Sequence, residues 1–387
     1  MERQDRLIYL DNAATVFPKP RHVLQKMIET YAEWGVSPGR GGYDLAMNAE
    51  EMVFEARSSL CTFFGSSDPE RVVFASNATD ALNLVIQGLI EPGCHVVSTR
   101  IEHNSVLRPL HHLKTQGLVT YDLVGFDKQG RVDPDDIAKA IKPETSFVIV
   151  NHASNIIGSV QDVNAIAAVC RERGKPLILD VAQSAGVEPI NMAASGISCV
   201  AFTGHKSLLG PTGIGGLVFS DDLEINSTRF GGTGVESQSL IHTQTYPHRL
   251  EAGTLNLLGI IGLAAGVEYL QEIGIEKIRQ KEVALAARLS QALASMEGVE
   301  LYSPREWDNR IAVLLFNIRD MLPEDVGAIL DGDFDIAVRT GLQCAPLAHQ
   351  DLGTFPNGAV RISLGPSNTE DDIDSAIDAL EQISKLK

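Results

Sequence analysis

The chain has 387 residues, 44% of them hydrophobic, which is enough to form a large core in one or two domains. Its 50 acidic and 32 basic residues give a formal charge of −18, and no Lys/Arg-rich run is present, so the composition argues against a nucleic-acid partner. The N-terminus has no apolar signal-peptide core and no segment is long enough to span a bilayer, so we expect a soluble cytoplasmic protein without a membrane partner.

The chain alternates short apolar runs with amphipathic segments between about residues 71 and 220. The predicted strands are "RVVFAS", "HVVSTR", "VTYDLVGF", "SFVIVNHAS", "PLILDVAQS", "CVAFTG" and "GGLVFS", and segments such as "ATDALNLVIQGLI" and "DVNAIAAVCRERG" predict the helices between them. Such an α/β pattern predicts a mostly parallel sheet covered on both faces. We therefore expect the ligand site at the carboxyl ends of its strands.

A second α/β region follows the segment "LNLLGIIGLAAGVEYLQEIG", which predicts a long and largely buried helix. Strands "IAVLLFNI", "IAVRTG" and "AVRISLG" then alternate with helices, ending in "TEDDIDSAIDALEQISKL". Acidic residues at the start of this last helix and a lysine near its end match the helix dipole. We predict a large domain over residues 15–259 and a smaller C-terminal domain over 260–387. The N-terminal arm 1–14 is expected to belong to the smaller domain.

Cysteine usage gives no sign of a metal site. The five cysteines form no CxxC pair and no Cys/His cluster at metal-ligand spacing, and we predict that no metal is bound. An odd number of cysteines favours free thiols in a reducing compartment. The four at positions 61, 94, 170 and 199 lie in or beside apolar segments, so we expect them to be buried and inert, whereas Cys344 lies in a short loop between Gly341 and Pro346.

Polar residues follow five of the predicted strands, in the segments 76–79, 102–104, 152–155, 180–183 and 203–206. Lys206 precedes a glycine-crowded loop, but a P-loop would need its glycines before the lysine. Pyridoxal phosphate (PLP) requires a lysine for a Schiff base, a carboxylate for the pyridine nitrogen and donors for the phosphate. Lys206 and Asp180 fit the first two requirements, because both follow strands that end at the same sheet edge.

The remaining strand ends supply the other contacts that PLP needs. We expect Gln183 to donate to the phenolic oxygen of the ring and His103 to stack on the ring face. The phosphate is expected at the helix N-terminus that Ala78 and Thr79 open, with further donors from Thr203 and His205.

A set of segments in chain order resembles a known family. These are "LDNAAT", "NATDALNLV", "EHNSVLRP", "ASNIIGS", "LDVAQSAG", "FTGHKSLLGPTGIGGL", "EAGTLN", "RTGLQCAP" and "VRISLG". Together they resemble the class V aminotransferase superfamily, in its cysteine desulfurase and selenocysteine lyase branch, over essentially the whole chain. The resemblance implies the fold type I architecture of PLP-dependent transferases, with a seven-stranded, mostly parallel sheet in the large domain and a smaller C-terminal α/β domain.

The resemblance also implies roles for individual residues. It makes Lys206 the Schiff-base lysine, His103 a catalytic and ring-stacking residue, and Asn155 a contact of both ring and substrate. Arg361 would clamp the substrate carboxylate, for which guanidinium geometry is suited. We also expect Ala14 and Arg339 at the substrate site. Thr254 would reach the phosphate in a neighbouring subunit, which implies a homodimer with shared sites.

Cys344 distinguishes the reactions that a PLP site could perform. An exposed thiolate near the cofactor can take sulfur from a cysteine substrate as a persulfide and leave alanine. The segment "RTGLQCAP" departs from the "RTGHHCAQP" common among desulfurases, since Leu342 and Gln343 replace two histidines. Tyr43 also stands where relatives often carry histidine, and Pro366–Ser367 where an aromatic residue is common.

We predict a PLP-dependent cysteine desulfurase that acts on L-cysteine and passes sulfur from Cys344 to an acceptor protein. The alternatives are a selenocysteine lyase acting on L-selenocysteine, a class V aminotransferase or another PLP lyase, and a non-catalytic scaffold of the same fold. The presence of both Lys206 and Asp180 argues against the scaffold, and Cys344 argues against a simple aminotransferase.

Overall fold

The computed structural model describes residues 7–39 and 41–386. Its strands are β1 (Ile8–Tyr9), β2 (Val72–Ala75), β3 (Cys94–Thr99), β4 (Val119–Val124), β5 (Thr145–Asn151), β6 (Leu177–Asp180), β7 (Cys199–Thr203), β8 (Gly215–Phe219), β9 (Val299–Leu301), β10 (Val313–Ile318), β11 (Ile336–Ala337) and β12 (Val360–Ser363). Its helices are α1 (Arg21–Trp34), α2 (Asp44–Phe63), α3 (Ala78–Leu89), α4 (Asn104–Thr115), α5 (Pro134–Ala140), α6 (Val163–Glu172), α7 (Met192–Ser195), α8 (Leu257–Ile273), α9 (Ile275–Ser295), α10 (Pro323–Phe334), α11 (Pro346–Asp351) and α12 (Glu370–Ile383).

The central sheet has seven strands in the order β2-β8-β7-β6-β5-β3-β4, and each corresponds to a predicted strand. Only β8 runs antiparallel to its neighbours, so the other strands of this sheet end at one edge. Most of these strands are buried on both faces, as a parallel sheet between helix layers requires. The prediction of a mostly parallel seven-stranded α/β fold is confirmed.

Short turns connect the strand ends to helices that begin with side-chain caps. Asn77 accepts a hydrogen bond from the Asp80 amide at the start of α3, and His103 accepts one from the Ser105 amide at the start of α4. The first amide groups of each helix still lack intrahelical partners, and they lie at the same edge of the sheet as the strand ends. The carboxyl edge of the large sheet therefore carries polar side chains together with helix amide groups that can donate hydrogen bonds.

A second sheet, in the order β12-β10-β9, is antiparallel and packs with α9, α10 and α12. The N-terminal arm joins this part of the chain, because β1 pairs with β11 and Leu10 is buried in the same apolar cluster. The predicted strand "IAVRTG" is shorter than expected. Beyond Ala337 the chain keeps only an isolated bridge from Arg339 to Arg361.

The predicted domain division at 259/260 falls inside α8. This helix packs on α1 and α2, and its apolar residues Ile260, Leu263 and Val267 belong to the core cluster beneath the large sheet. Packing would therefore place the domain boundary after α8. The division into two domains stays a prediction. Among the described residues, no single helix has the length and apolar character of a membrane span. Helices α8 and α9 reach that threshold only as a pair, across a bend of 80°.

Candidate active site

The polar strand ends surround one cavity of about 520 Å³ at the carboxyl edge of the large sheet. Every residue predicted for the site lines this cavity except Thr254. They are Ala14, Ala78, Thr79, His103, Asn155, Asp180, Gln183, Thr203, His205, Lys206, Arg339, Cys344 and Arg361. Thr254 is exposed and lines a separate cavity with residues of α2. The tertiary structure thus brings together side chains separated by more than 300 residues of sequence, as from Ala14 to Arg361.

Lys206 and Asp180 are two ionisable groups that line this cavity. Burial lowers the pKa of Lys206 to about 8, although the charge of Asp180 opposes that change. Burial likewise raises the pKa of Asp180, against the effects of the Ala182 amide and of Lys206. The lysine is therefore a better nucleophile near neutral pH than an ordinary lysine, because a larger fraction of its amine is uncharged. The aspartate is placed to pair with a buried cation.

One end of the cavity carries donors without partners. The Thr203 hydroxyl and the Nδ1 atom of His205 are buried and have no hydrogen-bond partner among the described residues. The N-terminal turn of α3, with Ala78 and Thr79, lines the same cavity. Unpartnered buried polar atoms beside a helix N-terminus are suited to an anion such as a phosphate.

The glycine loop after Lys206 allows this end of the cavity to form. Gly215 begins β8 and pairs with Ala75 on one side and Thr203 on the other. A Cβ atom at Gly215 would lie 2.6 Å from the Phe202 carbonyl oxygen and 2.8 Å from the backbone of Asn77. The lack of a side chain therefore lets the turn before α3 approach the end of β7.

His103 caps α4 and faces the cavity as a neutral imidazole. Its Nδ1 atom accepts the Ser105 amide hydrogen bond at 3.1 Å, which places the ring proton on Nε2. Burial, aided by the charges of Lys206 and Arg361, lowers the pKa of His103 to about 4. A neutral ring is suited to stacking on a flat ligand and does not act as a general acid from a protonated state at pH 7.

Two amide side chains, those of Gln183 and Asn155, also line the cavity. Gln183 is buried and donates Nε2 to the Ala13 carbonyl at 3.0 Å, which leaves its second amide hydrogen available to a ligand. The Asn155 side chain donates Nδ2 to the Gln343 backbone carbonyl at 2.8 Å. The backbone carbonyl of Asn155 accepts a hydrogen bond from Arg361 at 3.0 Å. Asn155 thereby links the loop before Cys344 to the arginine.

Arg361 is only 3% exposed and points into the cavity. One of its nitrogens binds the Asp11 carboxylate at 2.6 Å, and its Nε atom has no partner among the described residues. A buried guanidinium with a free donor is suited to a carboxylate ligand. Asp11 belongs to the segment "LDNAAT", but nothing in the sequence marked it as the partner of Arg361.

Cys344 is the exposed cysteine of the site, while Cys61, Cys94, Cys170 and Cys199 are buried. The expectation that those four are buried is confirmed. The backbone angle φ is +39° at Gln343 and +60° at Cys344, a left-handed conformation that costs a non-glycine residue about 1–2 kcal/mol. The Cys344 carbonyl accepts a hydrogen bond from the Asn104 amide at 2.8 Å, which fixes this loop beside the start of α4.

Sequence reasoning did not identify several residues that line the cavity. Among them are Asn77, Ser105, Asn151 and Gln343. Asn77 and Ser105 take part in the caps of α3 and α4, and a cap pattern could have located them. The sequence marks Gln343 only as a replacement within the "RTGHHCAQP" pattern, and its contacts with Asn155 and Ala359 are visible only in the structure.

A lysine and a buried aspartate that line one cavity at the carboxyl edge of a mostly parallel seven-stranded sheet are typical of the fold type I class of PLP-dependent enzymes. A family model described as Aminotransferase class-V matches residues 8–375, and the chain belongs to that family. The members of this family use PLP as their cofactor.

Curated relatives and solved structures place the chain more narrowly. It is 37% identical over 385 residues to a protein named "Probable cysteine desulfurase" from Methanothermobacter thermautotrophicus, covering 98% of this chain and 95% of the relative. A protein of the same name from Pyrococcus abyssi is 33% identical, with coverage of 98% and 94%. The apo structure of cysteine desulfurase from Thermococcus onnurineus NA1 superposes with a TM-score of 0.93 and 34% identity, covering 100% of this chain and 96% of that structure.

Proposed function

We propose that the protein is a PLP-dependent cysteine desulfurase, which converts L-cysteine to L-alanine and takes up the sulfur on Cys344. The observation that carries this proposal is the position of Cys344: its exposed thiol opens on the same cavity as Lys206 and Arg361. The names of the relatives support the choice of L-cysteine over the alternative substrates.

The residues present fit PLP. The unpartnered Thr203 hydroxyl and His205 nitrogen would hold the phosphate together with the α3 amides, while Asp180 would pair with the ring nitrogen. Lys206 would provide the amine that binds the cofactor covalently, and its lowered pKa favours this bond. When bound, PLP withdraws electrons from the substrate and so makes its Cα hydrogen acidic.

The substrate would be oriented by its carboxylate. Arg361 would bind that group through its unpartnered Nε and a neighbouring nitrogen, and Asn155 would contact it from the side. Lys206, once released from the cofactor, would act as the base that moves the Cα proton, since its lowered pKa leaves much of the amine uncharged near pH 8.

Cys344 would perform the sulfur transfer. Its thiolate attacks the sulfur of the substrate, a new S–S bond forms, and the bond between that sulfur and Cβ breaks. The carbon keeps the electron pair and takes a proton, which gives alanine and a persulfide on Cys344.

A homodimer, a sulfur-acceptor protein and a cytoplasmic location are part of the same proposal. Thr254 is exposed and lies outside the cavity of its own chain, so a contact with a phosphate would have to be made in a second copy. Leu240 and Ile241 are strongly exposed in the same loop-rich segment, which supports a covered interface there.

The test is to incubate the PLP-loaded protein with L-cysteine and a neutral thiol, and to measure alanine and sulfide. We expect equal amounts of both products, and expect the Cys344→Ala variant to produce neither while its visible absorbance still responds to cysteine. L-Selenocysteine provides the second arm. Alanine and selenide formed equally well by wild type and Cys344→Ala, with no product from cysteine, would replace this proposal by a selenocysteine lyase.

A further inference from the structure

Three buried side chains hold the backbone of the Cys344 loop, and of these only Gln343 also lines the cavity. They are Gln343, His349 and Thr354, with exposures of 5%, 0% and 6%. Gln343 precedes Cys344 directly, His349 lies on α11, and Thr354 follows the end of that helix. Together they form a hydrogen-bonded chain that we call the Gln343 network.

The donors and acceptors of this network are fixed by chemistry. Gln343 donates Nε2 to the Ala359 carbonyl at 2.9 Å, and a carbonyl can only accept, so the amide oxygen must face His349. His349 Nε2 therefore carries the ring proton and donates to that oxygen at 2.9 Å. Nδ1 then accepts from the Thr354 hydroxyl at 2.7 Å, a shorter contact than the 3.3 Å from that hydroxyl to the His349 carbonyl.

The network stays uncharged over the pH range in which enzymes of this kind are assayed. Burial lowers the pKa of His349 to about 4, and neither a glutamine nor a threonine titrates. Its effect on Cys344 is therefore one of position and does not supply a proton.

The backbone conformation of Gln343 and Cys344 is unusual. Gln343 and Cys344 both have left-handed backbone angles, which persist only where surrounding contacts determine them. The Gln343 carbonyl is bound by Asn155, and the Cys344 carbonyl is bound by the Asn104 amide. The side chain of Gln343 is a further attachment, held by the Ala359 carbonyl at its nitrogen and by His349, which Thr354 orients, at its oxygen.

We propose that Gln343, His349 and Thr354 are positioning residues that direct the Cys344 thiol into the cavity for sulfur transfer. The assignment of a reaction to Cys344 rests on the proposed function, whereas the control of its geometry does not.

The variants Thr354→Val and Thr354→Ser form a matched pair. Valine keeps the shape of threonine and removes the hydroxyl, while serine keeps the hydroxyl. Loss of one buried hydrogen bond predicts about tenfold slower formation of alanine in a single turnover by Thr354→Val. The KM for cysteine and the absorbance response to cysteine should stay within about twofold of wild type, since substrate binding does not use this network. Thr354→Ser should restore the wild-type rate.

A second readout does not require catalysis. Iodoacetamide should alkylate Cys344 selectively, because the other four cysteines are buried. We expect alkylation about threefold faster in Thr354→Val, because the loosened loop leaves the cavity for part of the time. Cys344→Ala provides the blank.

Wild-type behaviour of Thr354→Val in both readouts, or equal damage in Thr354→Ser, would overturn the positioning role. A parallel change in KM and in the absorbance response would also overturn it, since a general structural defect would then be the cause. If the wild type forms no alanine from cysteine, the proposed function fails, and the alkylation rates still decide whether the network controls Cys344.

Discussion

The side-chain amide of Asn155 donates to the Gln343 carbonyl at 2.8 Å, and its backbone carbonyl accepts from Arg361 at 3.0 Å. One residue in the turn that follows β5 therefore connects the arginine of the candidate substrate site to the loop that carries Cys344. Asn155 is buried and lines the cavity, so these two hydrogen bonds are shielded from bulk water.

Replacement of Asn155 by alanine should slow sulfur transfer more than it weakens substrate binding. Loss of the bond to Gln343 frees the loop, and we expect about 10- to 100-fold slower single-turnover alanine formation. The isosteric Asn155→Asp variant cannot donate to the Gln343 carbonyl and should be at least as slow. In a double-mutant cycle with Thr354→Val the two losses should be less than additive, because both act on Gln343. Full additivity would contradict this coupling.

Arg361→Lys should raise the KM for L-cysteine, because lysine cannot reproduce a planar, two-point contact with a carboxylate. The variant also leaves the Asn155 carbonyl and the Asp11 carboxylate without their partner. We expect kcat/KM to fall by about 100-fold or more. Arg288→Lys is the control, since Arg288 lies on α9 outside the cavity and forms its ion pairs with Glu370 and Asp374 at the surface. Equal losses in both variants would argue against a special role for Arg361.

The reaction of the cofactor-free protein with PLP should depend on pH through Lys206. Only the uncharged amine reacts, and with a pKa of about 8 its fraction falls roughly tenfold for each pH unit below that value. The rate at which the visible band of bound PLP appears should thus rise up to about pH 8 and then level off. Since the charge of Asp180 raises the pKa of Lys206, Asp180→Asn should shift the midpoint to lower pH. A midpoint near 10.5, the ordinary lysine value, would refute the predicted shift.

Glu102 should make the protein less stable as pH rises. The side chain is fully buried, accepts hydrogen bonds from Thr99 and the Asn151 amide, and has its pKa raised to about 8 by burial. In the unfolded chain the carboxyl ionises near 4.5. The folded state therefore binds the extra proton between these values, so this contribution is complete below 4.5 and is lost as pH rises through 8, at up to about 1.4 kcal/mol per pH unit.

The Glu102→Gln variant removes this titration and keeps an acceptor oxygen for both hydrogen bonds. Urea unfolding between pH 5 and 8 should show a smaller loss of stability in this variant than in wild type. Glu188→Gln offers a comparison, since Glu188 is paired with Arg279 and the variant should be destabilised. Identical pH slopes in wild type and Glu102→Gln would show that Glu102 is not protonated in the folded protein.

Thr254→Ala tests whether sites are shared between subunits. The substitution should weaken PLP binding although Thr254 lies outside the cavity of its own chain. Mixing Thr254→Ala with Lys206→Ala should produce hybrid dimers in which one site has Lys206 and receives Thr254 from the other chain. PLP affinity should return in that site, as measured by equilibrium titration of the absorbance. Wild-type affinity in Thr254→Ala alone would remove the reason for a shared site.

Much of the large sheet could be predicted because its strands are short apolar runs with turns between them. Helices α1, α2 and α9 carried a weaker signal. The buried face of α2 has Ala46, Ala49 and Ala56, and that of α9 includes Glu282 and Ser290. Small or polar residues at buried positions reduce the contrast between helix faces, so hydrophobic periodicity does not mark such helices clearly.

The candidate site could be predicted where chemistry and strand ends coincide. Lys206, Asp180 and Thr203 directly follow or end apolar runs, so the rule that ligands bind at the carboxyl edge of a parallel sheet placed them together. Asp11 and His349 could not be found in this way. Each acts through a partner on another element, and no local pattern records such a contact.

The sequence by itself determined the sheet, the edge at which its polar residues gather and the lysine, aspartate and cysteine that favour one chemistry. These follow from local apolar patterns and from residue types. Only the tertiary structure decided that Asp11 pairs with Arg361, that Asn155 and the Gln343 network hold the Cys344 loop, and that Thr254 lies outside its own cavity. Hydrogen bonds and burial depend on distances between elements far apart in the chain, and these distances exist only once the chain is packed.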